Sequence, residues 1–445
     1  MLRHCSRALL HGIHSVFPPP AISGHNGEDP ISIKKLLEKE GLWEVRKEVL
    51  GWVFDGATRC IELAESKQEK IMAELKAIVR INDGVPLKRF QKLVGKLRHA
   101  AIGVPAGKAL FGPLNRLVAE EPKQIFWARP PEAKAALKDW RRLLQQVIAE
   151  PTHVKELVAG EADYVGTLDA SGTDGCGGVW LPGKRQLAPI VWRFPWPQEV
   201  KDRLVTFANP NGDITNSDLE LVAELMGLLI LEACVPLRWA HIGVCSDNTP
   251  TVAWQRRWAS KRSKAANRLL RAMALRLRVN HASPLVTRHI AGDRNALGDI
   301  PSRSFGSVPE WHCETDEDLR SLMNARFPLP NQQSWSVFRP SFDLSMKLIS
   351  VLRMRPSTTD AWRRLPRAGK HVGTIGAATS HLWEWTLGFR ELRTPTECDA
   401  SAGLPTTSAA DATAEAARLQ LQQSVALSRP LARRSLWTTR PTPRK

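Results

Sequence analysis

The pattern of apolar and polar positions divides the chain into a helical region followed by a region of alternating strands and helices. In the first region, apolar residues recur every three or four positions at 69–80, 87–104 and 131–149, which predicts three amphipathic helices. A short apolar run at 49–56 predicts one strand ahead of them. We therefore expect residues 49–155 to be mostly helical, with a basic outer surface.

Residues 160–305 show a different pattern, in which short apolar runs bounded by Gly and Pro alternate with helical segments. The predicted strands lie at 164–170, 177–182, 188–194, 241–247 and 284–290. The predicted helices lie at about 218–233, twice within 250–279, and from about 295 onward. This order is typical of an α/β domain with one mixed, five-stranded sheet and flanking helices.

The rest of the chain carries weaker patterns. Residues 306–355 predict a linker with one helix at 342–354. Further on, Ala, Ser, Thr, Pro and Arg dominate, and the residues after Glu415 include seven basic side chains and no acidic one. Because such a composition cannot bury enough apolar surface to fold alone, 356–445 is predicted to be a disordered basic tail.

Composition narrows the class of partner. Among 445 residues, 63 Lys and Arg against 45 Asp and Glu give a net charge of +18, which favours polyanions and nucleic acid first. A generic basic protein has the same balance, so charge alone does not decide. No apolar run approaches the roughly 18 residues that a membrane span needs. Seven cysteines without paired spacing argue against disulfide and zinc modules and fit a reducing, intracellular compartment, cytoplasmic or nuclear.

Four carboxylates stand where the predicted elements of the α/β region converge. Asp169 ends the first strand, Glu220 lies in the first turn of the helix after the third strand, Asp247 ends the fourth strand, and Asp299 lies in the closing helix. Strands one and four are commonly adjacent in such a sheet, so we expect their aspartates side by side. Clustered carboxylates repel one another unless cations neutralise them, and hard oxygen ligands suit Mg²⁺ or Mn²⁺.

Each carboxylate also has a purely structural explanation. Asp169, before Ala-Ser-Gly, is typical of a turn. Ser217 to Glu220 spells S-x-x-E, the pattern of a helix capping box. Asp247 precedes a helix and suits its N-cap, and Asp299 suits a solvated helical position. Taken singly these explanations suffice, but the order and surroundings of all four together favour a metal site.

A basic stretch follows the third of these carboxylates. Between Asp247 and Asp293 there are ten Lys or Arg residues and no acidic one. On the helix near 261–278, apolar residues share one face, and five cations are predicted on the opposite face: Lys261, Lys264, Arg268, Arg271 and Arg278. This pattern predicts a packed helix whose cationic ridge contacts nucleic-acid phosphates. The alternative is a merely solvated face, although such faces usually include some Asp or Glu.

The segments around the four carboxylates resemble, in order, the signature blocks of a ribonuclease H domain of the kind found in DIRS/Ngaro-like retrotransposon reverse transcriptases. These segments are LDASGTDGCGGVW, NSDLELVAEL, CSDNTPTVAW and IAGDRNALGDIPSR. The last resembles a Gly-x-x-Asn-x-x-x-Asp-x-x-Ser-Arg pattern, met by Gly292, Asn295, Asp299, Ser302 and Arg303. The resemblance selects Asp299 over Asp293 and Glu220 over Glu224 as ligands. Many retroviral relatives carry a His in the loop before the last Asp, whereas His289 falls within a predicted strand here.

The resemblance extends through the first region, to about 9–355 in all. EVRKEVLGWVFDG and FQKLVGKLRHAAIGVPAGKALFGPLNRL resemble the thumb and connection of a reverse transcriptase, which makes 1–48 a remnant of the polymerase palm. The polymerase itself needs carboxylates on a Tyr-x-Asp-Asp-like hairpin. This chain has one tyrosine, Tyr164, and no adjacent Asp pair, so no polymerase activity is expected.

The resemblance implies a ribonuclease H-type endonuclease that cuts the RNA strand of RNA–DNA hybrids. Two Mg²⁺ or Mn²⁺ ions would be held by the four carboxylates, with the hybrid and other retroelement proteins as partners and no membrane. One alternative is a binding remnant that keeps the fold and lacks turnover. Another is a transposase or integrase, which is disfavoured because those enzymes place the catalytic Glu on a late helix, whereas Glu220 follows the third strand.

Overall fold

The computed structural model describes residues 11, 44–80, 84–120, 122, 124–125, 131–158, 160–185, 187–330 and 333–353. The predicted palm remnant at 1–48 lies almost wholly outside these residues, and the predicted basic tail at 356–445 lies entirely outside them. No helix in the described part of the chain is long and apolar enough to cross a membrane.

The first region combines helices with a small antiparallel sheet. Its strands are β1 (Arg46–Val49), β2 (Trp52–Asp55), β3 (Cys60–Leu63), β4 (Val85–Pro86), β5 (Gln124–Ile125) and β6 (Thr152–His153). Its helices are α1 (Glu65–Arg80), α2 (Leu87–Ala100), α3 (Phe111–Ala119) and α4 (Pro131–Ala149). The strands β1, β2, β3 and β6 form one sheet in that order, and β4 pairs with β5. The three predicted helices are all present, and the sheet is more extensive than the one predicted strand.

A tight turn explains why the single predicted strand at 49–56 is a hairpin instead. Leu50 and Gly51 both have positive φ, 53° and 78°, which reverses the chain between β1 and β2. A positive φ is easy for glycine and uncommon for leucine. The apolar run therefore continues through a turn that its hydrophobic pattern does not reveal.

The second region is built on a mixed sheet flanked by helices. Its strands are β7 (Tyr164–Ala170), β8 (Gly175–Pro182), β9 (Ile190–Pro195), β10 (Ile242–Ser246), β11 (Val286–His289) and β12 (Ser336–Phe338). Its helices are α5 (Gln198–Lys201), α6 (Asn216–Cys234), α7 (Thr249–Arg257), α8 (Lys264–Val279), α9 (Ala296–Ser302), α10 (Asp316–Arg326) and α11 (Phe342–Arg353). The strand order is β11-β10-β7-β8-β9-β12. The strands β7, β8 and β9 form an antiparallel meander, and β10 lies parallel to β7, so the sheet is mixed and the predicted first and fourth strands are neighbours, as expected.

The sheet has six strands, where the sequence predicted five. The added strand, β12, pairs parallel with β9 at the edge. It belongs to the segment 306–355, predicted to be a linker with one helix, which in fact contains α10, β12 and α11. A second apolar core holds this segment against the sheet, with Trp335 and Met323 packed against Val179 and Val191. A three-residue strand is too short for its alternation to be recognised in the sequence.

An arginine of the sheet fixes the start of this added segment. Arg193 of β9 donates hydrogen bonds to the carbonyl oxygens of Ser304, Cys313 and Thr315 at 3.3, 2.8 and 3.0 Å. Its guanidinium also lies over the ring of Phe305, 5.1 Å from the centroid. The chain that follows α9 is therefore tied to the same sheet that carries the candidate site.

The two regions share one apolar core. It runs from Trp52 and Trp140 in the first region to Trp180 and Leu228 in the second. Helix α8 packs between them, against α6 on one side and the 3₁₀ turn Pro105–Leu110 on the other. The boundary predicted at 155–160 thus separates two sequence patterns, but the elements on its two sides pack together in the structure.

Candidate metal centre

Two parallel strands bring the first pair of carboxylates together. Asp169 is the next-to-last residue of β7, and Asp247 directly follows β10, the parallel neighbour of β7. Side chains at the same ends of adjacent parallel strands project into one crevice, where open α/β sheets commonly bind ligands. The expectation that these two aspartates lie side by side is confirmed.

Helix α6 supplies the third carboxylate, and its cap shows that Glu220 does not serve to start the helix. The capping box is formed by Thr215 and Asp218: the Thr215 hydroxyl accepts from the Asp218 N–H, and Asp218 accepts from the Thr215 N–H. The interpretation of Ser217 and Glu220 as a capping box is therefore wrong. Asn248, not Asp247, caps α7 by accepting from the Thr251 N–H at 3.0 Å. Both carboxylates are left available for another role.

Helix α9 approaches the sheet closely enough to hold Asp169. A Cβ at Gly177 would come within 2.7 Å of the backbone of Pro301 and Ser302, and one at Gly298 within 3.0 Å of Asp169 Cβ. A side chain at Gly177 would force the helix backbone away from the sheet, and one at Gly298 would require its neighbours to shift. The Ser302 hydroxyl donates to Asp169 Oδ2 at 2.5 Å, and the Asn295 amide donates to Oδ1 at 3.4 Å.

The sequence assigned Asn295 and Ser302 no role beyond matching a motif. In the structure they orient the carboxylate of Asp169, and the fixed spacing of that motif was the signal that could have found them. Similarly, His289 is the last residue of β11, as its predicted place in a strand implied, and its Nε2 lies 3.0 Å from the Asp247 carbonyl oxygen.

The four predicted carboxylates form a group of three with a fourth beside it. One oxygen from each of Asp169, Glu220 and Asp247 lies within 4.8 Å of the others. Asp169 and Glu220 are buried and Asp247 is half-buried. Asp299 is 9% exposed and is not in that group; its Oδ1 lies 2.8 Å from Arg303 Nη2. The same nitrogen lies 4.0 Å from Asp169 Oδ2.

Burial and mutual repulsion make negative charge costly here. Burial first, and then the charges of Asp169 and Asp247, raise the pKa of Glu220 well above its usual value. Burial and Asp169 raise the pKa of Asp299 to about 7, against the lowering effect of Arg303. Burial also raises the pKa of Asp169. One turn beyond Glu220, burial alone raises the pKa of Glu224 well above its usual value.

These residues fit a divalent cation. All donors are carboxylate oxygens, the hard ligands that Mg²⁺ and Mn²⁺ prefer, and they come from three separate elements. A bound divalent cation would offset the repulsion that raises the pKa of Glu220 and Asp299. The buried acidic cluster is thus suited to holding a metal.

The predicted cationic ridge on α8 is only partly exposed. Lys261 and Lys264 are exposed, and Arg268 is half-buried, so that burial lowers its pKa. Arg271 and Arg278 are both buried. The prediction that all five residues form an outer ridge is therefore wrong for these two arginines.

The two buried arginines pair with carboxylates from the first region. Arg271 binds Asp139 of α4, with Nε donating at 2.6 Å. Arg278 binds Glu156 at 2.5 Å. The acidic partners of these two arginines lie more than 100 positions earlier in the chain, outside the acid-free stretch between Asp247 and Asp293.

A different set of cations is exposed around the turn between α7 and α8. Five basic residues lie within nine positions: Arg256, Arg257, Lys261, Arg262 and Lys264. We call these residues the α7–α8 basic cluster. None of them forms an ion pair with a described residue. Helix α7 starts two residues after Asp247, so the same short helix connects the carboxylates to this cluster.

Comparison with known proteins yields only a distant likeness. No family model matches the sequence, and no relative is found among curated proteins. A foamy viral protease-reverse transcriptase dRH in complex with ds DNA shows 16% identity and a TM-score of 0.24, over 56% of this chain and 38% of that chain. A foamy viral protease-reverse transcriptase in complex with RNA/DNA hybrid shows 15% identity and a TM-score of 0.23, over 56% of this chain and 29% of that chain. This chain thus spans well under half the length of either structure.

Proposed function

We propose that this chain is a metal-dependent endonuclease of the ribonuclease H type, which hydrolyses the RNA strand of RNA–DNA hybrids. The observation that carries the proposal is the convergence of Asp169, Glu220 and Asp247 within 4.8 Å, from two strand ends and one helix. Several buried carboxylates that converge in one crevice are typical of a site that binds a cation for catalysis. The sequence resemblance supplies the substrate class.

The metal would be held by this chain's carboxylates in two overlapping groups. Asp169, Glu220 and Asp247 form one group, and Asp169 with Asp299 forms the other, so Asp169 belongs to both. When bound, two Mg²⁺ or Mn²⁺ ions supply water activation and charge neutralisation for in-line attack on a phosphodiester. Ser302 and Asn295 hold the Asp169 carboxylate in one orientation.

The α7–α8 basic cluster is the proposed contact for the nucleic-acid backbone. Its Lys261 and Lys264 belong to the predicted contact set. Arg268, also in that set, is half-buried one turn after Lys264 on α8. Exposed cations bind phosphates without reading sequence, so discrimination for the hybrid would come from 2′-hydroxyl contacts and the shape of its minor groove. The fit to a polyanion agrees with the overall charge of +18.

Cleavage of an end-labelled RNA–DNA hybrid in Mg²⁺ or Mn²⁺ tests this proposal. Asp247→Asn should lower the cleavage rate by at least about 100-fold, because it removes a ligand of the buried group. Asp293→Asn is the matched control: Asp293 is an exposed aspartate outside the group of converging carboxylates, and the activity of this variant should stay within about twofold of wild type.

Two results would contradict the proposal. Equal loss in both variants would show that cleavage depends on nearby negative charge in general and not on the group of converging carboxylates. Binding of hybrid by folded wild-type protein without metal-dependent cleavage would leave a non-catalytic binding remnant, the alternative that the sequence allows.

A further inference from the structure

The fourth predicted ligand, Asp299, contacts an arginine and lies outside the group of three converging carboxylates. Its Oδ1 lies 2.8 Å from Arg303 Nη2, four residues further along the chain. That same nitrogen lies 4.0 Å from Asp169 Oδ2. The carboxylate oxygens that converge within 4.8 Å are those of Asp169, Glu220 and Asp247 only, among the described residues. One guanidinium nitrogen thus lies within 4.0 Å of a carboxylate oxygen of both Asp299 and Asp169.

The backbone around Arg303 is held by buried neighbours and hydrogen bonds, whereas the Arg303 side chain reaches solvent. Ser302 and Ser304, on either side, are fully buried, and the Ser302 and Ser304 hydroxyls bond to Asp169 and Pro301. The Arg303 N–H bonds to the Asp299 carbonyl at 3.0 Å, which ends helix α9. By contrast, the Arg303 side chain is 38% exposed. Its long stem allows the guanidinium to reach solvent while the backbone stays fixed.

The guanidinium and a divalent cation require the same oxygens. Both are attracted by Asp299 and Asp169, and two cations cannot share these oxygens without repulsion. Two ligands that exclude each other at one site are linked, so each weakens the apparent binding of the other by the same factor. The carboxylate site therefore already has a cationic side chain, that of Arg303, beside two of its carboxylates.

We propose that Arg303 is an internal counter-ion of the metal-free site and that it leaves Asp299 and Asp169 when a divalent cation binds. The proposal rests on the proposed function, since it assumes that these carboxylates take a metal. It assigns Arg303 a regulatory role: it stabilises the cluster without metal and sets the metal concentration at which the site fills. Asp299 is free to take part in metal binding only after Arg303 has left it.

Calorimetric titration of the full chain with Mn²⁺ tests this without measuring catalysis. Arg303→Gln keeps a polar, uncharged side chain and removes the positive charge, so it should bind Mn²⁺ roughly three- to tenfold more tightly than wild type. Arg303→Lys keeps the charge and should fall between the two. Arg294→Gln is the matched control for loss of a nearby positive charge, because Arg294 is exposed and pairs with no described carboxylate. Its affinity should change by less than about twofold.

Thermal unfolding in a chelator supplies the second readout. Metal-free Arg303→Gln should unfold roughly 2 °C or more below wild type, and added Mn²⁺ should raise its unfolding temperature by more than it raises that of wild type. If Arg303→Gln does not fold, the intermediate affinity expected of Arg303→Lys carries the same test.

The outcomes separate this proposal from the proposed function. Equal or weaker Mn²⁺ binding by Arg303→Gln would overturn the counter-ion role and leave the metal site intact. An equal gain in affinity for Arg303→Gln and Arg294→Gln would show a general charge effect and overturn it too. If wild type and variants all fail to bind Mn²⁺, the proposed function fails, and this proposal fails with it.

Discussion

Two parts of the molecule bury charge, and they do so in opposite ways. Along helix α8, each buried arginine meets a carboxylate: Arg271 with Asp139, Arg276 with Glu232, and Arg278 with Glu156. At the ends of β7 and β10, buried carboxylates instead meet one another. The first set is neutral as a whole and holds elements together. The second set has an excess of negative charge, for which Arg303 is the cation that the structure places within reach.

The difference lies in what each arrangement needs from outside the chain. A buried ion pair supplies its own counter-charge, so removal of one partner alone costs stability and little else. A cluster of one sign raises the pKa of its members, as for Glu220, and gains from an external cation. A buried pair of opposite charges therefore indicates a structural role, whereas a buried cluster of like charges indicates a binding site.

Breaking one ion pair on the α8 side should have the largest effect on stability. Asp139→Asn leaves Arg271 buried without its counter-charge, and we expect a loss of about 3–5 kcal/mol in the free energy of unfolding, measured in urea. The double variant Asp139→Leu with Arg271→Met should restore stability to within about 1 kcal/mol of wild type, because both charges are gone.

The control for this variant is Glu317→Gln, which breaks the exposed pair of Glu317 with Arg320. It should cost less than about 0.5 kcal/mol. A similar small loss for Asp139→Asn would mean that the buried pair does not hold the two regions together.

A Glu→Gln substitution at two positions of helix α6 should change the free energy of unfolding in opposite directions, and by less than Asp139→Asn does. Glu232→Gln removes the partner of Arg276 and should destabilise the protein. Glu220→Gln removes one charge from the repelling cluster, and in chelator at pH 8 it should stabilise the protein by about 1–2 kcal/mol. Urea unfolding of both variants measures the contrast. Loss of stability in both would show that the cluster is already neutralised without metal.

The pH dependence of this effect follows from the direction of the shifts. The pKa of Asp299 rises from 3.8 to about 7 and that of Glu220 also rises, so the folded protein binds these protons more tightly than the unfolded chain does. Their contribution to the stability of the metal-free protein is present at low pH and is lost as pH rises from about 4 through 7. The advantage of Glu220→Gln over wild type should accordingly fall away by pH 4. Added Mg²⁺ should restore the stability of the wild-type protein at pH 8, because the cation stabilises the ionised carboxylates.

Changes in the α7–α8 basic cluster should have the smallest effect on stability. Lys261→Gln and Arg262→Gln remove exposed charges, so the free energy of unfolding should stay within about 0.5 kcal/mol of wild type. Binding of a hybrid to the variants should weaken, and the dependence of log affinity on log salt should fall by roughly one per charge removed. The matched control is Arg326→Gln, at the exposed end of α10, which should leave the salt dependence unchanged. An equal change in all three variants would point to net charge instead of a contact at this cluster.

Much of the local structure and the site was present in the sequence. The helix predicted at 131–149 and the strand predicted at 164–170 have those bounds in the structure. Hydrophobic period determines helix and strand because it depends only on neighbours along the chain. The order and surroundings of four carboxylates predicted one site, and the structure brings Asp169, Glu220 and Asp247 together, with Asp299 outside that group.

Pairing across long separations was decided only by the tertiary structure. Arg271 and Arg278 follow the polar face of a helix, and nothing in their neighbourhood shows that Asp139 and Glu156 cover that face. Likewise, β12 is too short to show a pattern, and it is a strand only because β9 offers an unpaired edge. Periodicity states which residues share a face. What that face touches depends on residues far away in sequence, and so does whether a buried charge is a structural pair or part of a binding site.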